Sequence, residues 1–319
     1  MPPTAPTAIT VFAPAGMPEV VAGSDLAALV VAAVAADPLG PLQAGDVVVV
    51  TSKVVSKADG LVRPAGQRDA VIEEQTERTV ARRGPTRIVR THHGLTIAAG
   101  GVDNSNVAPE VVLVLPADPD ARAGQLHRDL TWRTGLPLAV VVSDTAGRAW
   151  RMGQTDQAIG AAGLRVLESY AGRQDAYGND LQVTAMAVAD EIAGAADLAK
   201  GKLAGRPVAV LRGLGHMLSD PAGADGGAAD LLRPPEQDMF ARGTRESVLM
   251  AVLVATGQGD RYEELVALEE PARSAAVLAG AVRAGHASSP ETADLLRAVL
   301  AAAGTSSPPR ASTPPGPPA

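Results

Sequence analysis

Residues 137–156 read PLAVVVSDTAGRAWRMGQTD, and the rest of the chain is organised around this stretch. Residues 138–142 form an unbroken apolar run, which is typical of a strand buried on both faces. Ser143, Asp144 and Thr145 follow directly, so the pattern predicts a strand that ends in polar side chains. Ligands bind outside the carboxyl ends of strands in open α/β sheets, and these oxygens suit a hard cation. The alternative is a strand end with a solvated turn.

Two arginines come next in the same stretch. Arg148 and Arg151 flank Trp150 and offer two planar forks for a phosphate or a carboxylate. Trp150 has two interpretations, stacking on an aromatic ligand and ordinary packing.

Composition limits the class of protein. The chain has 319 residues, 46% of them apolar, which indicates about two domains or one large domain with an extension. It contains no cysteine, so disulfides, thiolate nucleophiles and cysteine-ligated metals are excluded. The net charge of -7 argues against nonspecific nucleic-acid binding. Without a signal-like start or a run of ~20 apolar residues, we expect a cytoplasmic protein that does not enter a membrane.

Two further segments supply candidate ligand-binding groups. Residues 47–50 are predicted to form a second buried strand, which runs into TSKVVSK at residues 51–57. Ser52 and Lys57 there are candidates for holding phosphates, with surface lysines as the alternative. Residues 98–107 (AAGGVDNSNV) place Asp103 and Asn106 beside a flexible Gly-Gly pair.

The remaining pattern predicts the domain organisation. We expect a charged helix over residues 68–83, loops at 160–163 and 220–230, and a helix over 184–200 whose acidic side chains face solvent. Helical segments follow from Ser247. The predicted division is a disordered start (1–8), a main domain (9–245), a helical extension (246–303) and a disordered, proline-rich tail (304–319).

The sequence has no standard nucleotide or hydrolase signature. It lacks a G-x-x-x-x-G-K-[ST] loop, a G-x-G-x-x-G turn after a strand and a G-x-S-x-G elbow. What remains is a distributed set of oxygen ligands and cations, which favours Mg²⁺ or Mn²⁺ together with substrate phosphates. The sequence therefore predicts phosphoryl transfer.

Five motifs in order resemble the coenzyme F420-0:L-glutamate ligase family. They are TSKVVSK (51–57), AAGGVDNSNV (98–107), SDTAGRAWRMGQTD (143–156), DAYGND (175–180) and VADEIAGAADLAKGKL (188–203), and the likeness spans about residues 9–245. The resemblance implies a GTP-dependent ligase that joins the terminal carboxylate of coenzyme F420-0 to the amino group of L-glutamate through an acyl phosphate. It also implies a homodimeric α/β fold with mixed sheets, two divalent ions (Mg²⁺ or Mn²⁺), and K⁺ as a further cofactor.

The same resemblance assigns roles residue by residue. Metal ligands would be Asp103, Asp144 and Thr145, and catalytic residues would be Asp144, Arg148 and Arg151. GTP would be bound by Met17, Pro18, Glu19, Val20, Ser52, Lys57, Asn106, Gly201 and Lys202. Archaeal members often have Gln where Lys202 stands, and a lysine there would contact phosphate. Some relatives carry a nitroreductase-like domain after the ligase domain. We expect this chain to lack it and to make short products of about one or two glutamates.

Two other functions fit the same residues. One is a metal-dependent phosphohydrolase or kinase that uses the acidic strand ends. The other is a non-catalytic deazaflavin-binding protein. Glutamate-dependent release of GDP separates a ligase from both.

Overall fold

The central stretch forms a long strand in the computed structural model, which describes residues 8–219 and 226–304. The strands are β1 (Thr10–Phe12), β2 (Val47–Thr51), β3 (Val62–Pro64), β4 (Thr76–Arg83), β5 (Thr86–Thr91), β6 (Thr96–Ala98), β7 (Val111–Leu113), β8 (Ala139–Gly147), β9 (Gln154–Ala162), β10 (Glu168–Ser169), β11 (Arg173–Gln174), β12 (Asp180–Leu181), β13 (Ala185–Met186) and β14 (Val208–Arg212). The helices are α1 (Leu26–Ala36), α2 (Ser52–Ala58), α3 (Arg68–Gln75), α4 (Pro119–Thr134), α5 (Val188–Lys200), α6 (Thr244–Ala255), α7 (Tyr262–Val266), α8 (Ala272–Arg283) and α9 (Pro290–Gly304). This mixed α/β content confirms the predicted fold class.

A five-stranded mixed sheet in the order β1-β14-β2-β8-β9 forms the core of the larger unit. β2 and β8 run parallel, with Thr51 opposite Ser143, and the other neighbouring strands are antiparallel. The side chains of residues 47–50 and 139–142 are fully buried, as their unbroken apolar runs predict. The carboxyl end of β2 therefore lies beside Ser143, and β8 continues beyond it.

Helices cover both faces of this sheet because successive strand residues point to opposite sides. Val48, Val50, Val140 and Val142 pack in one cluster with apolar residues of α1 and α4. Val47, Val49, Ala139 and Val141 pack in another cluster with residues of α5. The alternation explains why continuous valine runs are needed in both strands.

The predicted end of the central strand is wrong. β8 continues through Ser143, Asp144 and Thr145 to Gly147 and forms a hairpin with β9, with an irregularity between Val142 and Ser143. The expected loop at 160–163 is mostly part of β9. Gly160 is not a loop residue, and a Cβ there would lie 2.2 Å from the Pro119 carbonyl oxygen. The glycine is required because α4 approaches the strand closely.

Two predicted helices are shorter than expected. The charged segment 68–83 divides into α3 and β4, since Thr76, Thr79 and Val80 are β-branched and β4 has β5 as its neighbour. The helix expected from Thr184 begins at Val188, because residues 185–186 form a two-stranded sheet with β10. In both places strand pairing outweighs local helix propensity.

Among the described residues, a second unit comprises residues 78–89 and 238–304. Its apolar core lies among α6, α7, α8 and α9 and includes Leu253, Leu265 and Val277. The Tyr262 hydroxyl donates a hydrogen bond to the Thr79 carbonyl oxygen over 2.9 Å, which ties the 78–89 segment to the helices. The predicted domain boundaries remain predictions.

Parts of the predicted disordered and loop segments cannot be compared with the structure. Residues 1–7, 220–225 and 305–319 lie outside the described residues. Within the part that is described, no helix combines the length and the apolarity needed to cross a bilayer. The longest is α4, with 16 residues.

Candidate functional site

A cavity of about 520 Å³ in the larger unit lies beside the carboxyl end of β2 and the adjoining part of β8. Its size falls within the range of small-molecule sites. Many of the residues predicted to bind a ligand line it together, namely Met17, Pro18, Glu19, Val20, Lys57, Asn106, Thr145, Gly201 and Lys202. The structure thus brings together segments that are up to about 180 residues apart in sequence.

The first half of the site, called the acidic half, consists of Ser52, Lys53, Asp103 and Asp144. Ser52 opens α2 immediately after β2, and its hydroxyl donates to Asp144 Oδ1 over 2.7 Å. Lys53 Nζ lies 2.7 Å from Asp103 Oδ2. Ser105 donates to the same carboxylate from its backbone N–H (2.9 Å) and its hydroxyl (2.8 Å). The parallel pairing of β2 with β8 places Ser52 next to Asp144.

The two carboxylates of the acidic half have different electrostatic settings. The pKa of Asp144 is raised to about 6, mainly by burial and also by nearby Asp103 and Asp156, against the opposing effects of Ser52 and Lys53. Burial also opposes ionisation of Asp103, but hydrogen bonds from Lys53 and Ser105 outweigh it and lower that pKa. Asp144 is therefore a desolvated carboxylate that is stabilised by an added cation.

The second half, called the paired half, consists of Ser143, Thr145, Asp156 and Lys200. Ser143 and Thr145 share one face of β8, and Asp156 lies opposite Thr145 on β9. Asp156 Oδ2 accepts from Ser143 Oγ (2.9 Å) and Lys200 Nζ (2.7 Å), while Oδ1 accepts from Thr145 Oγ1 (2.7 Å). The Lys200 side chain is only 5% exposed. Burial would raise the pKa of Asp156, but Lys200 and the two hydroxyls lower it.

Lys202 extends from the end of α5 toward the paired half. Gly201, with φ 61°, ends the helix in a conformation that favours glycine and redirects the chain. Lys202 Nζ then donates to Thr145 Oγ1 over 2.6 Å, and it lies 3.6 Å from Asp197 Oδ1 and 3.9 Å from Asp156 Oδ1. Its ammonium group thus contacts a residue predicted to bind metal.

Arg148 and Arg151 lie apart from the cavity lining. They occupy an exposed turn between β8 and β9, where Arg148 Nη2 donates to the Met152 carbonyl oxygen over 3.1 Å. Trp150, between them, is 82% exposed. A catalytic role for the two arginines remains a prediction.

Sequence reasoning missed Lys53, Asp156, Asp197 and Lys200 as site residues. Asp156 ends the central stretch, but its pairing with Thr145 depends on the register of the hairpin. Asp197 was expected to face solvent and instead lines the cavity. A signal for Lys200 does exist, because Ile192, Ala196 and Lys200 recur every four residues on the buried face of α5. A lysine on an apolar helix face requires a buried partner.

The residues present fit a divalent ion in the acidic half. Asp103 and Asp144 supply oxygens, and Asp144 lacks a hydrogen-bonded cationic partner within the described part of the chain. The described residues contain no group of three or more His, Asp or Glu side chains that could hold a metal unaided. Such a site suits Mg²⁺ or Mn²⁺, which share their coordination shell with substrate phosphates.

Known proteins share most of this site-bearing region. The family model described as F420-0:Gamma-glutamyl ligase matches residues 16–213. A Coenzyme F420:L-glutamate ligase of Methanothermobacter thermautotrophicus is 38% identical over 249 residues, which cover 70% of this chain and 96% of the relative. A protein of the same name from Archaeoglobus fulgidus is 34% identical over 255 residues, covering 73% and 97%. The chain belongs to the F420-0:gamma-glutamyl ligase family.

Proposed function

We propose that the protein is a ligase of coenzyme F420 biosynthesis that joins coenzyme F420-0 to L-glutamate. Family membership and the names of the relatives support this activity. The observation that carries it is the cavity where Thr145, Lys57 and Lys202 converge beside the acidic half. A phosphohydrolase would need only the metal ion and the cationic side chains that bind phosphate, whereas a ligase must also bind two organic substrates.

GTP is the proposed nucleotide. The nine residues named for it from the family resemblance all line the cavity except Ser52, which lies between the lining residues Thr51 and Lys53. Lys57 and Lys202 provide ammonium groups for phosphate oxygens, and Asn106 provides an amide for polar recognition. The site would hold the nucleotide without a P-loop.

The proposed reaction has two steps. An oxygen of the F420-0 terminal carboxylate attacks the γ-phosphorus of GTP, the bond to the β-phosphate oxygen breaks, and GDP leaves. The amino nitrogen of L-glutamate then attacks the acyl phosphate carbon, phosphate leaves with the bonding electron pair, and the nitrogen loses a proton. The amide is formed because phosphate is a far better leaving group than oxide.

The side chains supply charge and position in both steps. A Mg²⁺ or Mn²⁺ ion held by Asp103 and Asp144 would neutralise phosphoryl oxygens. Lys57 and Lys202 add positive charge around the phosphates, and Ser52 fixes the Asp144 carboxylate by its hydrogen bond. Arg148 or Arg151 would hold an acidic group of a substrate. Further γ-glutamyl addition would repeat the same steps on the new terminal carboxylate.

We extend the proposal to a cytoplasmic homodimer. Large apolar side chains are exposed on the larger unit, among them Met152, Val183 and Leu203, and their burial against a second copy would stabilise a dimer. Sedimentation velocity of the purified chain tests this directly. A monomer at micromolar concentration contradicts it.

Mass spectrometry tests the ligase activity. Purified protein is incubated with F420-0, GTP, L-glutamate and Mn²⁺, and the product is expected to gain the mass of a glutamyl residue while GDP is released. GDP release that is independent of glutamate and F420-0 would instead identify a phosphohydrolase. Binding of F420-0 without any GTP turnover would identify a deazaflavin-binding protein.

A further inference from the structure

The family resemblance implies a second divalent ion at Thr145, but the residues around Thr145 do not fit one. The Thr145 hydroxyl donates its proton to Asp156 Oδ1 and accepts a hydrogen bond from Lys202 Nζ. Asp156 Oδ2 already accepts from both Ser143 and Lys200. The oxygens that a second ion would need are therefore occupied by hydroxyl and ammonium donors.

Formal charge also differs between the two positions. Around Thr145, Asp156 and Asp197 are matched by Lys200 and Lys202, which leaves no net charge. In the acidic half, Lys53 is the one cation that faces Asp103 and Asp144 among the described residues, which leaves one negative charge. A divalent cation is attracted to the acidic half and finds no excess negative charge beside Thr145.

Lysine usage across the chain points the same way. Of the 28 lysines and arginines, only four are lysines, and all four line this cavity, namely Lys53, Lys57, Lys200 and Lys202. Arg206 also lines the cavity, but its guanidinium donates to the Ala13 carbonyl oxygen. An ammonium group is a compact point charge, whereas a guanidinium is a broad planar fork. Every side chain of the protein that carries a compact ammonium charge, the kind most similar to a small metal cation, therefore lines this cavity.

We propose that the Lys202 ammonium takes the place of a second divalent ion beside Thr145, so that the chain binds one divalent ion, between Asp103 and Asp144. Lys200 assists by neutralising Asp156 and fixing its carboxylate against Thr145. The inference rests on the proposed ligase function, because it assigns the second positive charge on the nucleotide phosphates to this chain's own side chain.

Counting bound Mn²⁺ tests the inference. The full chain is titrated with Mn²⁺ alone and again with a non-hydrolysable GTP analogue, and free Mn²⁺ is followed by electron paramagnetic resonance. We expect one ion per chain in both titrations. Asp144→Asn should abolish binding of Mn²⁺ alone, because it removes the charge of the acidic half.

A charge reversal at Lys202 should create the second site. Lys202→Glu places a third carboxylate beside Thr145, and we expect the count to rise from one to two. Lys202 is 60% exposed, so the substitution should leave the fold intact. Arg63→Glu is the matched control, since Arg63 is exposed and its hydrogen bond goes to the Val62 carbonyl oxygen. The control should stay at one ion.

The outcomes separate the inference from the function on which it rests. Two Mn²⁺ ions in the wild-type chain with normal ligation, or a count of one in Lys202→Glu, would overturn the inference alone. One Mn²⁺ ion in a chain that forms no glutamyl product would overturn the ligase function alone.

Discussion

Asp144 and Asp156 lie on neighbouring strands of one hairpin, and their electrostatic settings are opposite. Asp144 in the acidic half is desolvated, accepts one hydrogen bond from Ser52, and has a pKa raised to about 6. Asp156 in the paired half accepts from Ser143, Thr145 and Lys200, and its pKa is lowered. The difference arises from the partners, since burial disfavours the ionised form of both carboxylates.

This contrast separates two roles for a buried acid. A carboxylate whose charge is already matched holds its neighbours in place, whereas one whose charge is unmatched gains free energy by binding a cation. The alternation of side chains along β8 separates the two halves of the site, because Asp144 points to the opposite face of the strand from Ser143 and Thr145. Substitution of either carboxylate, or of a cation beside it, alters one side of this contrast.

The largest effect is expected for Asp144→Asn. The amide keeps the shape and can still accept from Ser52, but it removes the negative charge needed for the divalent ion. We expect kcat for ligation to fall at least about 1000-fold, or ~4 kcal/mol of barrier. Steady-state kinetics at saturating Mn²⁺ measures the loss, and the thermal midpoint should not fall. A variant that keeps more than about a tenth of the wild-type rate would show that Asp144 is not a principal ligand.

Lys200→Met should reduce stability. It leaves Asp156 buried with two hydroxyl partners and no buried cation, and such a loss costs about 3 kcal/mol. Denaturant unfolding measures the change. The double variant Lys200→Met/Asp156→Asn should recover most of it, because no unpaired charge remains. Equal stability of the single and double variants would mean that the ion pair is not the cause.

The two carboxylates should also give opposite pH dependences in metal-free protein. The folded-state pKa of Asp144, about 6, lies above its unfolded value of ~3.9. The folded state therefore holds more protons between these values, and this group destabilises the fold as pH rises from about 4 to 6. Relative to Asp144→Asn, the wild type should lose about 2 kcal/mol over that window.

Asp156 has the opposite effect on the pH dependence of folding stability. Its lowered pKa stabilises the fold above the unfolded pKa, and that stability is lost as pH falls through the folded pKa. The groups that face Asp144 are Ser52, Lys53, Asp103 and Asp156. Saturating Mn²⁺ should remove the pH effect of Asp144, because a bound cation favours the ionised carboxylate. Urea unfolding at several pH values, with and without Mn²⁺, checks both signs. A flat difference between wild type and Asp144→Asn would contradict the raised pKa.

Sequence patterns predicted the buried strands of the fold but not their limits. The apolar runs VVVV at 47–50 and AVVV at 139–142 specify strands buried on both faces, and the structure confirms this burial. The patterns could not show that β8 continues past Val142, because Ser143, Asp144 and Thr145 are polar and their burial depends on pairing with β9. Gly160 shows the same limit, since its close contact with Pro119 arises only in the folded chain.

The site was predictable where a polar motif follows an apolar run. Ser52, Asp144 and Thr145 all follow such runs, and the structure places Ser52, just after β2, beside Asp144 within β8. Asp156 and Lys200 were not found, because their contact joins residues 44 positions apart through hairpin register and helix packing. A local sequence pattern does not show that two residues so far apart in sequence are in contact. The exposed turn with Arg148 and Arg151 shows the converse, since a cationic motif alone does not locate a side chain in a cavity.

Lys57→Ala should have the smallest effect, and it tests whether the cavity beside both halves binds the nucleotide. Lys57 lines the cavity from α2. Its ammonium lies 2.6 Å from Glu19 Oε1, so its ion-pair partner is neither Asp144 nor Asp156. Loss of a phosphate contact made in the ground state should raise KM for GTP about tenfold, or ~1.4 kcal/mol, with little change in kcat. KM for glutamate should stay within about twofold. Arg63→Ala is the matched control, because it removes an exposed cation outside the cavity lining, whose hydrogen bond goes to the Val62 carbonyl oxygen. Initial rates with each substrate varied in turn give both constants, and equal increases in the two KM values would place Lys57 outside the nucleotide site.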